Sequence, residues 1–337
     1  MLLDFFYCKI VSPNDLLHPI IQTRVKSEGL IRTIAPLGTW YDIIFSPELD
    51  NAKNYGYNFE ILWGYKFEPK NIFKEYVDTL YQLRSDYPRT DPLNYIAKLL
   101  MNSLYGRFGM LDTFPDISIF KDEISLETFL NSHSDDIEDI IKLGDQTLVK
   151  YGSETKNQKT ILYGNLETHN TNVAIASAIT SYARIIMSQF KNNPNFNLYY
   201  SDTDSAFFDK PLPLNMVSSK VLGKMKLEHV KSKAIFLAPK VYYLITEDGK
   251  IIYKVKGLSH DIELNQNDFD NLLFKQSSLQ KWQTKWRKNL SEGHVSILNE
   301  VYTLKVTNNK RKLLYENGKL IGTAPYIINE NKEILNK

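Results

Sequence analysis

Tyr199-Tyr200-Ser201-Asp202-Thr203-Asp204-Ser205-Ala206-Phe207-Phe208 places two carboxylates two residues apart, between two aromatic, strand-prone runs. On a strand, residues i and i+2 share a side. A reversal around Asp202-Thr203 therefore predicts both acids at the tip of a β-hairpin. Paired carboxylates there suit a divalent cation, which prefers hard oxygen ligands. An isolated Asp-x-Asp is more often only a polar turn. The balance is changed by a second group of residues about a hundred positions upstream.

That group sits on a predicted helix running from Leu93 to about Tyr105. Asp91 is its expected cap and Pro92 fits its first position. Leu93, Ile96, Leu100 and Leu104 form the expected apolar stripe, and Lys98, Asn102 and Tyr105 lie together on roughly the opposite side. Gly106, at the helix end, lets a ligand approach the backbone. A preceding helix is predicted from Ile72, Phe73, Tyr76, Val77, Leu80 and Leu83 at helical spacing; Arg84 lies near its end.

These groups need a scaffold, and 337 residues with 43% hydrophobic and 24% charged residues suffice for two or three packed units. The one cysteine, Cys8, excludes a disulfide framework. The net charge of +2 hides an asymmetry: ten acids against Lys121 and Lys142 between Leu111 and Asp145, and ten lysines against four acids between Ser205 and His260. A basic half that also carries metal-binding acids suits a polyanionic partner. No apolar run approaches the ~18 residues of a membrane span, so no membrane partner is expected. The opening residues read as a strand, not a signal peptide.

Residues 1–66 are expected to be β-rich: a strand at Phe5–Val11, a pair at Gly29–Ala35 and Trp40–Phe45 joined through Pro36-Leu37-Gly38-Thr39, a short helix opened by Ser46-Pro47-Glu48, and a strand at Phe59–Tyr65. From Leu111 to about Gln158 the chain is acidic and weakly periodic, an insertion with little structure beyond a short helix at Leu126–Leu130. A strand is expected at Thr160–Gly164. A long helix follows, capped by Asn170 or Thr171, ending near Phe190 and apolar around most of its circumference, as if buried beneath a sheet. After the acid hairpin, strands are expected at Lys224–Val230, Ala234–Phe236, Val241–Thr246 and Lys250–Lys256, with Glu247-Asp248-Gly249 as a turn. The last part should hold a helix around Phe269–Leu290 bearing Trp282 and Trp286, then a hairpin of Tyr302–Val306 and Arg311–Tyr315 turning at Asn308-Asn309. Lys310-Arg311-Lys312 could touch phosphate or simply be solvated.

Taken together, Lys98-Leu99-Leu100-Met101-Asn102-Ser103-Leu104-Tyr105-Gly106 resembles the K-x-x-x-N-S-x-Y-G helix of family B DNA polymerases, and Tyr200-Ser201-Asp202-Thr203-Asp204-Ser205 resembles their Y-x-D-T-D-S hairpin. Lys240-Val241-Tyr242 is similar to their K-x-Y element, and Lys254-Val255-Lys256-Gly257 to the lysine–glycine strand after it. Order and spacing agree along essentially the whole chain, in particular with the protein-primed branch found on fungal mitochondrial linear plasmids. The resemblance implies an α+β fold: a palm with an antiparallel sheet on helices, helical-hairpin fingers and a small thumb. It divides the chain into palm (1–66), fingers and nucleotide-binding helix (67–110), acidic insertion (111–168), palm with metal-binding hairpin (169–260) and thumb (261–337).

The resemblance also implies template-directed nucleotidyl transfer with two magnesium ions, or manganese in their place. Asp204 would be the principal metal ligand with Asp202 in support. Lys98, with Arg84 as a second clamp, would bind the incoming triphosphate; Asn102, Tyr105 and Gly106 would line the pocket for the nascent pair; Lys240, Tyr242 and Lys256 would hold the primer strand. Implied partners are primer-template DNA, deoxynucleoside triphosphates and a terminal priming protein, in a mitochondrion, with the gene carried by the organelle or a plasmid. Two family features are missing: the exonuclease domain and the D-x-x-S-L-Y-P strand that supplies a bridging carboxylate. Asp4, before Phe5-Phe6-Tyr7, does not match that motif. The chain therefore reads as N-terminally truncated. This leaves two alternatives to an active enzyme: an inactive remnant that binds DNA weakly, or one part of a split polymerase completed by an N-terminal fragment at an open sheet edge.

Overall fold

The computed structural model of the protein describes residues 3–110, 116–152, 171–289 and 294–336. The chain forms two compact units: Met1–Asn71 with Ser177–Lys281 and Val301–Lys337, and Ile72–Ala176 with Trp282–Glu300. Among the described residues no helix is long and apolar enough to cross a membrane.

In the first unit, β1 (Phe5–Val11) is flanked by β4 (Leu37–Phe45) and β5 (Asn58–Tyr65), antiparallel to both. Alternation along β1 turns Cys8 and Ile10 into a core shared with Trp40, Ile44, Ile20 and Ile21. Ser46-Pro47 opens α1 (Ser46–Lys53) directly after β4, with proline where its missing N–H costs nothing. The expected pairing of Gly29–Ala35 with Trp40–Phe45 is corrected. Instead, β2 (Thr23–Ser27) pairs with β3 (Leu30–Ile34) around Glu28-Gly29. Both turn residues have positive φ, 53° and 75°, as a primed two-residue hairpin turn requires. The Pro36–Thr39 segment runs on into β4.

The expectation for the long helix also changes. α5 (Val173–Ser188) is capped by Asn172, whose Oδ1 accepts from Ile175 N at 3.1 Å; Asn170 lies outside the described residues. The helix is not apolar-buried all round: Val173, Tyr182 and Ile186 are exposed, and its buried residues are Ser181, Met187 and Ser188. The reason is a polar seam to α1. Arg184 donates to both oxygens of Glu48 at 2.6 and 2.7 Å and to Ser181 Oγ at 2.7 Å, while Asn51 and Tyr55 donate to Ser188 Oγ.

Beyond α5 come β9 (Leu198–Asp202) and β10 (Ser205–Phe208), then the meander β11 (Lys231–Ala238), β12 (Val241–Thr246) and β13 (Ile251–Val255). The expected strand at Lys224–Val230 does not form; Met225 makes only an isolated bridge to Val217. The expected helix over Phe269–Leu290 is replaced by the short α6 (Gln266–Leu272), opened by an Asn265/Asp268 capping box, and by a ribbon of β14 (Ser278–Asn289) and β15 (His294–Lys305). The expected 302–315 hairpin is replaced too. β16 (Lys312–Glu316) pairs with β17 (Lys319–Ala324) around Asn317-Gly318, at φ 49° and 78°. β18 (Ile327–Ile328) then closes the first sheet, parallel to β4. Gly38 permits that closure: its φ is 111°, and a Cβ there would collide with the Ile328 carbonyl.

In the second unit, α2 (Lys74–Asp86) and α3 (Pro92–Phe108) form a helical hairpin. Asp91 caps α3 as expected, its side chain accepting from Leu93 N. The acidic stretch expected to have little structure is folded where it is described. β6 (Asp116–Phe120), α4 (Glu123–Ser132), β7 (Ile137–Leu143) and β8 (Gln146–Tyr151) build an antiparallel sheet of order β6-β8-β7, with Ile141 and Val149 buried. The expected strand at Thr160–Gly164 lies outside the described residues.

Candidate active site

The acid hairpin forms as expected, but it reverses at Thr203-Asp204, one residue later than the expected Asp202-Thr203. Asp202 and Ser205 face each other across β9 and β10, and Thr203-Asp204 makes the turn, with Thr203 at φ 54°. The two acids have different surroundings. Asp202 Oδ2 accepts from Lys240 Nζ at 2.6 Å, Oδ1 accepts from Thr203 Oγ1 at 3.2 Å, and Ser205 Oγ donates to the Asp202 carbonyl. The Lys240 hydrogen bond, with help from the Lys310 charge, holds the Asp202 carboxyl below the usual carboxylate range. Asp202 in turn raises the Lys240 ammonium. Asp204 is exposed at the tip and has no hydrogen bond or ion pair among the described residues.

Lys240 reaches Asp202 because two hairpins are packed face to face. Tyr200 and Phe207 are cross-strand partners in one, Phe236 and Tyr242 in the other. Tyr200 stacks on Phe236 with centroids 5.0 Å apart, and all four rings lie within 6.2 Å of a neighbour. Such pairs add geometric preference to plain burial. The Tyr200 hydroxyl accepts from Lys240 N at 2.8 Å, and its pKa is raised, chiefly by burial. Lys240 has φ 61° in the β11–β12 turn, a left-handed conformation unusual for a residue with a Cβ. The Tyr200 bond and the Lys256 N–H on the Lys240 carbonyl, at 3.1 Å, hold it there. Lys256 is fixed from the other side by Tyr302, whose hydroxyl donates to the Lys256 carbonyl at 2.8 Å. Asp202, Lys240, Tyr242 and Lys256 thus form one assembly, with Asp204 at its edge.

The second group belongs to the helical hairpin. Lys98, Asn102 and Tyr105 are exposed along α3, as their spacing predicts. Gly106 lies inside the helix, not at its end, and nothing is within 4 Å of where a Cβ would sit. The expected apolar stripe is corrected: Leu93, Ile96 and Leu100 are exposed, and the buried residues are Asn94 and Ala97. Asn94 takes the inner position because its amide donates to the carbonyls of Arg84 and Tyr87, at 2.9 and 2.8 Å. It thereby satisfies acceptors left open at the end of α2. Arg84, half-buried in the last turn of α2, is set by the same contact.

Among the described residues, no three His, Cys, Asp or Glu side chains gather into a metal site. Asp204 fits a hard cation as an open oxygen donor, and Asp202 fits once Lys240 is displaced. Asp4 is buried, with Oδ1 accepting from Phe67 N at 3.0 Å.

Residues 1–196 match the family model for DNA polymerase type B, organellar and viral. The chain belongs to that family. It is 39% identical, over 98% of its length and 27% of the relative's, to a probable DNA polymerase of Ascobolus immersus. It is 37% identical to a probable DNA polymerase of Neurospora intermedia over 88% of the chain and 30% of that protein. With the DNA polymerase of Streptococcus phage Cp-1 it shares 26% identity over 76% of the chain and 42% of that protein. The chain therefore spans only about a quarter to two-fifths of these relatives. Its fold matches Phi29 DNA polymerase complexed with primer-template DNA and incoming nucleotide, with a TM-score of 0.61 at 18% identity, covering 90% of this chain and 51% of that one.

In this type B polymerase chain several residues escape motif reading. Tyr200 was visible only as part of the acid motif; its hold on Lys240 depends on tertiary packing. Lys310 bears on Asp202 from about a hundred residues away. Trp282 and Trp286 are 72% and 75% exposed on one face of the ribbon, the same face as Thr284, which donates to Asn299 Oδ1 at 2.8 Å.

Proposed function

We propose that this chain carries out the polymerising chemistry of a type B DNA polymerase, transferring deoxynucleotides to a primer end on a template. The observation that supports it most is the hairpin tip: an open Asp204 beside an Asp202 already held by a lysine on the neighbouring turn. In this reading Asp204 holds a divalent ion, magnesium or manganese, with Asp202 in reserve. The ions of a two-metal site supply Lewis-acid activation of the primer hydroxyl and charge neutralisation at the leaving pyrophosphate. Lys98 places a point charge on the incoming triphosphate, where negative charge builds up in the transition state, with Arg84 as a second clamp. Asn102, Tyr105 and the open side of Gly106 receive the nascent pair. Lys240, Tyr242 and Lys256 grip the primer strand, Lys240 exchanging Asp202 for a phosphate; contacts of that kind position DNA without reading its sequence. The exposed Trp282 and Trp286 suit stacking against the bases of a nucleic acid; Lys285 and Arg287 lie on the other face of the ribbon, paired with Glu300. We further propose a terminal protein as primer, an N-terminal polymerase fragment that completes the metal ligands, and a mitochondrial plasmid setting. The organellar and viral family and its fungal relatives support the setting.

Primer extension with magnesium or manganese tests this. Wild type should extend, Asp204→Asn should not, and Lys98→Ala should fall by roughly a hundredfold or more. A second reading, a DNA-binding chain that does not catalyse, is favoured by the lack of a third carboxylate among the described residues. Failure of the wild type to extend at stoichiometric concentration, with salt-dependent DNA binding that Lys240→Ala weakens, would decide for it.

A further inference from the structure

A cluster of positive charge in the first unit is unused by the chemistry above. Three segments are stitched together by hydrogen bonds. His18 N donates to Asn192 Oδ1 at 3.0 Å, and Asn192 Nδ2 donates back to the His18 carbonyl at 2.8 Å. Arg311 Nη2 donates to the Leu17 carbonyl at 2.8 Å and to the Thr323 carbonyl at 3.2 Å, and Nε donates to Thr323 Oγ1 at 2.8 Å. These bonds bring His18, Lys191 and Arg311 into one half-buried locality. Arg184 contributes to the same field, but Glu48 engages it at both oxygens.

The remaining charges are unbalanced. The Lys191 ammonium has no hydrogen bond or ion pair among the described residues, and neither has Arg311 Nη1. Burial, then repulsion from Arg184, lowers the Lys191 pKa; only Glu48 acts the other way, and Arg311 adds to the repulsion. Burial also pushes Arg311 down to about 10, and burial with the Arg311 and Lys191 charges pushes His18 down to about 4. Part-buried cations without partners are costly. The open Nη1 of a guanidinium, an ammonium and an imidazole together offer N–H donors that match the oxygens of a phosphate.

We propose that His18, Lys191 and Arg311 form a phosphate-binding site separate from the acid hairpin. The phosphate belongs either to a polynucleotide backbone or to a free inorganic species. Lys310, the neighbour of Arg311, bears on Asp202, so one strand could be followed from the hairpin to this cluster.

The test uses the full chain and two probes in chelator: inorganic phosphate by calorimetry, and a fluorescent twelve-nucleotide oligo(dT) by anisotropy across a salt series. Lys191→Met keeps the side-chain bulk. If a backbone phosphate is the ligand, Lys191→Met weakens oligo(dT) binding by roughly tenfold and lowers the salt slope by about one, and inorganic phosphate binds neither protein. If the ligand is free, inorganic phosphate binds wild type and binding is lost in Lys191→Met, with oligo(dT) unchanged. Lys191→Arg retains binding in either case, which separates a lost charge from a lost fold, and the exposed control Lys210→Met changes nothing. Equal binding of both probes by wild type and Lys191→Met, or loss of binding in Lys191→Arg as well, overturns the proposal.

Discussion

Replacing Asp202 by asparagine separates two roles that the motif alone confounds. In metal-free protein, Asp202 and Lys240 are paired at 2.6 Å, with 31% and 57% of their side chains exposed. An exposed pair of this kind stabilises only weakly, so the substitution should leave the fold intact and free the Lys240 ammonium. Tyr200 still holds the Lys240 backbone, so the ammonium stays aimed at the same place. Two effects then act on DNA: one negative charge is removed from the site, and one cation no longer has to leave a partner. Metal-free affinity for primer-template should rise by a small factor, about two- to fivefold. The more diagnostic quantity is the slope of log K against log salt, which should steepen by about one if Lys240 gains a phosphate contact. Anisotropy titrations in chelator, from low to physiological salt, measure both. Asp204→Asn is the control: with no partner to release, it should tighten binding slightly without steepening the slope. If Asp202→Asn binds no more tightly than wild type, with the same slope, then Lys240 does not exchange a carboxylate for a phosphate.

Three further outcomes follow from other parts of the molecule. Asn94→Ala removes two donors from buried carbonyls at 2.9 and 2.8 Å and should destabilise the helical hairpin by about 1–3 kcal/mol, read as a lower urea midpoint. The imidazole of His18, pushed down to about 4, is neutral in the fold, so the unfolded chain binds more protons below its own pKa of about 6.5. Stability is therefore fully present above that pH and declines as pH falls toward 4, by as much as about 3 kcal/mol; denaturation at pH 7.5 and 5 should show the decline, and His18→Phe should flatten it. Gly38→Ala, at φ 111° beneath the Ile328 carbonyl, should release β18 and cost about 2 kcal/mol or more, with faster amide exchange at Ile327 and Ile328.

Where local chemistry decides the structure, it was legible. The 198–208 hairpin follows from aromatic alternation around Asp-Thr-Asp, and α3 begins where Asp91-Pro92 says it should. Ambiguity arose where one spacing satisfies two periods. Trp282 and Trp286 are four apart, which puts them on one side of a helix and equally on one side of a strand; the exposed Thr284 between them, with Gln283 buried, marks the strand. Glu28-Gly29 and Asn317-Gly318 are hairpin turns that outweigh the Pro36–Thr39 and Asn308-Asn309 alternatives, because their backbone twist matches that of paired strands. Acidic composition hid the β6–β8 sheet, whose inward residues include only Ile141 and Val149 as fully buried. The Asp202–Lys240 contact joins residues 38 apart through ring packing, and no local pattern encodes it.

The left-handed backbone at Lys240 sets a conflict for anyone who alters this protein. Glycine or asparagine would relax that turn, while only arginine would keep a permanent cation, and no natural side chain does both. Selection for heat resistance alone would therefore tend to erase this lysine early, and a stabilised variant should be checked for its grip on DNA before its melting point is taken as progress.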